Sequence, residues 1–170
     1  DRVNKIDYPV KLLIPTDGMR HNTRKGEELY YHEVAESAGV SWQDMESKSK
    51  GEKISFMTEA VAGYVEKIYQ ERKVDGIVSA GGLQNTVMAT AAMQRLPIGV
   101  PKVMATTVAS GRKTFESIVA DKDIVTIPSI CDFTGLNLVT RQIIANACAA
   151  WIPHSFVSRF PGIVIISTFG

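Results

Sequence analysis

Val74-Asp-Gly-Ile-Val-Ser-Ala-Gly-Gly-Leu-Gln-Asn-Thr-Val-Met-Ala-Thr-Ala-Ala-Met93 reads as a strand, a glycine turn and a helix. Val74 to Ala80 is a short apolar run with β-branched residues, the pattern of a buried strand. Gly81-Gly82 interrupts it. Asn85 or Thr86 can cap the Ala- and Met-rich helix that follows. Such a turn aims backbone N–H groups at whatever sits above the strand end. The helix N-terminus adds partial positive charge, so the place suits a phosphate or a carboxylate. A βα turn that uses its glycines only for close packing has the same letters, so this motif alone does not decide between ligand and packing.

Downstream, Pro97 and Pro101 stop the helix and lead into Lys102 to Thr106, a second strand. It ends in Thr106-Thr-Val-Ala-Ser-Gly111, small and hydroxyl-rich. Asp123 to Ile127 is a third strand, running into Pro128-Ser-Ile-Cys-Asp-Phe-Thr-Gly-Leu136. Leu136 to Trp151 is an amphipathic helix, and Ile163 to Ser167 a closing strand. Upstream, Val10 to Ile14 is a buried strand ended by Pro15-Thr-Asp-Gly18. Met19 to Gly26 is a polar loop with Arg20, His21, Arg24 and Lys25. Glu27 to Ala38 reads as a helix stopped by Gly39. Ser41-Trp-Gln-Asp44 has the form of a helix start. Ile54, Met57, Val61, Tyr64, Val65 and Ile68 recur at helical spacing, so Glu52 to Arg72 is a helix with its Met and Tyr residues in the core.

Strands alternate with helices. The expected fold is α/β: a doubly wound, mainly parallel, Rossmann-like sheet with helices on both faces, and Val74–Ala80 beside Lys102–Thr106. Ligands of such sheets sit outside the C-terminal strand ends. Three successive tails there carry Gly81 and Gly82; Thr106, Thr107, Ser110 and Gly111; and Asp132, Thr134 and Gly135. Glycines and small hydroxyl residues gathered at one edge are what phosphate cradles are made of. Asp132 could hold a ribose hydroxyl or Mg²⁺ through water; capping the next helix is the competing role. Asp17 has the same ambiguity. Lys102 begins its strand, at the edge away from the site, and is read as structural.

The chain has 170 residues, 45% hydrophobic, with a formal net charge of +1. That suits a domain with a sizeable core, residues 1–160, with 161–170 opening a second domain or adding an edge strand. The missing Met at the start and the strand at the end suggest a piece of a longer protein. No long basic stripe speaks for nucleic acid. No apolar run reaches the roughly 18 residues that span a bilayer, and the polar start is no signal peptide. Cys131 and Cys148 lack metal or Cys-x-x-Cys spacing and read as small hydrophobes of a reduced, cytoplasmic protein. His21, His32 and His154 are scattered. No nucleophile elbow, Cys–His pair or Walker lysine is present, so catalysis and its residues stay open.

Val74 to Ala150 resembles the N-terminal ATP-binding domain of the tomato mosaic virus resistance protein (Tm-one-like) family of mostly uncharacterised proteins. The resemblance is carried by Asp75-Gly-Ile, Gly81-Gly82, Thr86, Leu96-Pro-Ile-Gly-Val-Pro-Lys-Val103, Thr106-Thr-Val-Ala-Ser-Gly111, Asp123-Ile124, Pro128-Ser129, Asp132, Gly135-Leu-Asn137 and Ala145-Asn146. The family's turn resembles Gly-Gly-Ser-Gly-Gly-Thr, whereas here Gln84 and Asn85 replace two glycines. Their side chains either block close approach of a phosphate or supply amide donors in its place. Thr23-Arg-Lys-Gly-Glu-Glu28 looks like a segment near the family's start, but too close to Gly39. Setting Val10 to Gly18 on the family's second strand keeps the spacing and leaves the first strand absent. Asp17 then falls where doubly wound folds often place a ribose-binding acid.

The resemblance implies ATP, with or without Mg²⁺, as ligand and a homo-oligomer as assembly. The expected cofactor-binding residues are Gly81, Gly82, Asn85, Thr86, Thr106, Thr107, Ser110, Gly111, Asp132, Gly135 and Asp17. Three functions follow: a nucleotide-binding domain of a larger protein, half of an enzyme for a phosphorylated or carboxylated metabolite, or a protein-capturing module with nucleotide as structural ligand.

Overall fold

A computed structural model describes residues 10–14, 27–109, 119–133, 135, 137–151 and 163–167. Asp17, the loop 19–26 with His21, Ser110, Gly111, Thr134 and His154 lie outside them. The described strands are β1 (Val10–Ile14), β2 (Glu27–Tyr30), β3 (Gly76–Gly81), β4 (Lys102–Thr106), β5 (Val125–Pro128) and β6 (Ile163–Ser167). The helices are α1 (Tyr31–Ser37), α2 (Trp42–Glu46), α3 (Lys50–Gln70), α4 (Leu83–Arg95) and α5 (Leu138–Trp151).

All six strands pair in parallel, in the order β2-β1-β6-β3-β4-β5. The expected adjacency of the two glycine-turn strands holds, Val78 lying opposite Val103 and Gly81 opposite Thr106. Parallel sheets are covered on both faces, and side chains alternate along each strand. Ile77, Met104 and Ile166 accordingly enter the core formed with α1, α3 and α4. Val78, Val103 and Ala105 enter the other core, with Ile143 and Ala147 of α5. The sheet thus carries helices on both faces.

The sequence reading of the strands departs from the structure at β2 and at β6. Glu27 to Ala38 is not one helix. Glu27–Tyr30 pairs with β1, Lys11 opposite Glu27 and Ile14 opposite Tyr30, and the helix starts only at Tyr31. Pairing with a neighbouring strand outweighs the local helix propensity of two glutamates. The closing strand is not an added edge: β6 lies between β1 and β3.

The helix ends follow their sequence signals. Ser41 caps α2 by accepting from the Gln43 N–H. Ser49 and Glu52 form a reciprocal box at the start of α3, the Glu52 carboxylate accepting from the Ser49 N–H at 2.8 Å. Gly39, at φ +79°, ends α1 with two backbone bonds, Gly39 N–H to Glu36 O and Val40 N–H to Ala35 O.

Lys102 is buried at the start of β4, and its ammonium donates to Pro97 O at 2.7 Å, Val100 O at 2.8 Å and Asp123 Oδ1 at 2.7 Å. Asp123 Oδ2 also accepts from the Gly99 N–H at 2.7 Å. These bonds tie the loop before β4 to the segment before β5, at the edge opposite the glycine turn. Burial raises the Asp123 carboxyl, but the bonds from Lys102 and Gly99 and the Lys102 charge outweigh it. Its pKa lies below the usual carboxylate value.

Candidate functional site

The C-terminal edge of the sheet gathers the tails of β3, β4 and β5. Gly81 ends β3, and Gly82 is the N-cap of α4. Asn85 and Thr86 do not cap this helix, contrary to the sequence expectation. Asn85 turns inward instead: its Nδ2 donates to Ser79 Oγ at 2.8 Å and Ala80 O at 3.0 Å. Ser79 Oγ in turn donates to Ile166 O at 2.6 Å. This chain of bonds ties the first turn of α4 to β3 and β6. A Cβ on Gly81 would stand 2.6 Å from Asn85 Nδ2, so glycine there leaves room for the asparagine.

Thr86 and Thr106 meet through their hydroxyls at 2.6 Å, both buried. Thr86 Oγ1 donates to Gly82 O and Thr106 Oγ1 accepts from the Val108 N–H, so the proton between them runs from Thr106 to Thr86. Both side chains hold the α4 turn against the end of β4.

Gly82 supplies no capping side chain, and the N–H groups of Leu83, Gln84 and Asn85 have no intrahelical acceptor. Among α2 to α5, this N-terminus differs from its neighbours. Asn137 and Thr140 close α5 reciprocally, each side chain accepting the other's N–H at 2.9 Å. Among the described residues, a Cβ on Gly82 would meet nothing nearer than Thr107 Oγ1, at 3.9 Å. Among those residues the space above Gly82 is open, and the helix dipole points out of it. The bare donors fit a phosphate group.

Beside it lies a depression of about 230 Å³ lined by Thr107, Ser129, Ile130, Cys131 and Asp132. Ser129 shapes its floor, donating through N–H to Thr106 O and through Oγ to Cys131 O. Ile130 is held at φ +65° with its side chain 74% exposed. That conformation is costly for a β-branched residue. Asp132 is exposed at the rim. Gly135, at φ +156°, accepts the Thr140 hydroxyl on its carbonyl and belongs to the start of α5.

The structure brings Gly81, Gly82, Thr86, Thr106 and Thr107 together, with Asp132 across the depression. Sequence reasoning gave no site role to Ser129 and Cys131, nor to Tyr30, Tyr31 and His32 at the junction of β2 and α1. The signal for the latter group was the aromatic pair after Leu29, a strand composition hidden in a run read as helix. Among the described residues no group of three or more His, Cys, Asp or Glu could hold a metal ion, and no helix is long and apolar enough to cross a membrane.

Residues 6–154 match the N-terminal domain of the uncharacterised protein family UPF0261. A UPF0261 protein of Clostridium tetani is 37% identical over 121 residues, 71% of this chain and 30% of that protein. The ToMV resistance protein Tm-1(GCR237) of Solanum lycopersicum is 35% identical over 123 residues, 72% of this chain and 16% of its own length. A UPF0261 protein of Rhizobium meliloti is 40% identical over 106 residues, 62% of this chain and 25% of its own length. The chain spans less than a third of each of these relatives. With the family model covering most of its length, the chain belongs to the UPF0261 family, as its N-terminal domain.

Proposed function

We propose that this is a nucleotide-binding domain within a longer protein, ATP being the expected ligand. The observation that carries the reading is the uncapped N-terminus of α4 at a Gly82 that no described residue crowds. A phosphate there accepts several N–H bonds at once in the field of a 13-residue helix. Gln84 is exposed, whereas Asn85 is turned inward with its Nδ2 hydrogens already used. Asp132, across the depression, suits a ribose hydroxyl or the water shell of Mg²⁺. The apolar side chains of Leu83, Ile130 and Leu138, at least 61% exposed at this same edge, favour a second reading. In it, further chain closes over the edge and a phosphorylated metabolite sits between two bodies.

Calorimetry with ATP and Mg²⁺ tests both. Gly82→Val fits the folded chain, since its Cβ has room, but fills the space a phosphate needs. Losing one charge-assisted bond of about 1.5–3 kcal/mol weakens binding roughly ten- to hundred-fold, and losing two weakens it further. Normal affinity in Gly82→Val would remove the phosphate from this turn. An Asp132→Asn variant is expected to weaken ATP while its melting temperature stays near the parent's.

A further inference from the structure

We infer that the base of the bound nucleotide stacks on an aromatic ledge formed by Tyr30 and His32 at the junction of β2 and α1; the inference rests on the nucleotide reading above. The His32 ring lies near-parallel to Tyr30, at 15° with centroids 6.2 Å apart. Tyr31 meets His32 edge-on, at 81° and 5.3 Å. Tyr31 is packed against the core, and the Glu33 carboxylate fixes the Tyr30 backbone by accepting its N–H at 2.8 Å. His32 itself is exposed. Two tyrosine rings thus orient the imidazole of an exposed residue.

The position of this face is set by the sheet. Tyr30 pairs with Ile14, and Ala80 pairs with Ser167. Leu13 pairs with Ile166, so Ile14 and Ser167 are level. Tyr30 and Ala80 therefore stand at one height on the C-terminal edge, three strand spacings apart, or about 14 Å. α1 and α4 pack into the same core, on the same face of the sheet. The ledge and the bare α4 N-terminus thus flank the ends of β1 and β6 from either side. That span is of the order of an extended nucleoside triphosphate, phosphates toward Gly82 and base toward His32. It is also where the strand order diverges, β1 leading outward to β2 and β3 outward to β4. Open parallel sheets bind ligands at such a point. Stacking accepts any flat base, purines more strongly than pyrimidines, and no plain phosphate.

The test is calorimetry on the full chain with ATP and with inorganic tripolyphosphate, each with Mg²⁺. The parent is expected to bind ATP about ten-fold more tightly than tripolyphosphate. His32→Ala, at an exposed position, should fold normally, lose about ten-fold in ATP affinity and bind tripolyphosphate unchanged, while His32→Phe keeps ATP affinity. If His32→Ala binds ATP like the parent, or weakens both ligands equally, the base is not on this ledge, and the nucleotide reading stands without it. If the parent binds neither ligand, both readings fall.

Discussion

Asn85 occupies a place in sequence where its amide could equally face a ligand or the interior. The structure sends it inward, to Ser79 Oγ and Ala80 O. What decides this is Ser79, held by Ile166 O across 87 residues. No local pattern could reveal a partner that distant, so the glycines were legible as a turn and the asparagine was not legible as a brace. Gly81→Ala is expected to cost about 2–4 kcal/mol, because its Cβ displaces the asparagine and breaks both amide bonds. A thermal melt reads this directly, and an unchanged midpoint would mean the side chain relaxes freely. Asn85→Gly should cost about 1–3 kcal/mol. Gln84→Gly, at an exposed position, should stay within about 0.5 kcal/mol of the parent and keep or raise ATP affinity. Thr86 and Thr106 are a similar case: their hydroxyls were expected at the ligand and are spent on each other.

Among the elements, α3 was the most legible. Its apolar spacing and Ser49–Glu52 box are local facts, and the helix runs Lys50–Gln70, within two residues of the reading. β2 was hidden because its four residues gain their conformation from β1 rather than from their own letters. The Lys102–Asp123 tie joins two loops that no periodicity connects, although the lysine at a strand start did read as structural. Asp123→Asn leaves a buried ammonium without its counter-charge and is expected to cost about 3 kcal/mol. The pH dependence follows from the lowered carboxyl of Asp123. The unfolded chain binds its proton at higher pH than the folded one, so stability rises with pH across that window. The contribution is present above the ordinary carboxylate pKa and is lost as pH falls through the lower folded value. Melts between about pH 7 and pH 2 should show this slope in the parent and a flatter one in Asp123→Asn.

At the scale of the molecule, alternating strands and helices gave the parallel sheet and its two covered faces, but not the full strand order. Ile163–Ser167 is apolar at four of its five positions, without the alternation of a half-exposed strand. That composition is a sign of burial on both faces, and β6 does lie inside the sheet. Ile166 is fully buried in the core of α1, α3 and α4. Ile166→Ala is therefore expected to cost about 2–5 kcal/mol, as a central core residue does. A near-neutral value in urea unfolding would contradict the interior position of β6. Deleting residues 163–170 should abolish the cooperative melt, since β1 and β3 would lose the strand that joins them.

Lys102 also makes the protein its own reporter. Its ammonium is sealed from solvent and gives its protons to three acceptors. An amine-directed acylating reagent needs a free, deprotonated amine, which this residue offers only when the Pro97–Val103 corner comes apart. Exposed lysines such as Lys48 and Lys50 acquire the tag at once, while Lys102 acquires it at the rate of that opening. Peptide mass spectrometry over a labelling time course therefore times the breathing of the sheet's far edge in the unmodified sequence. Because nucleotide would bind at the opposite edge, any slowing of that tag by ATP would measure how far rigidity travels along β4.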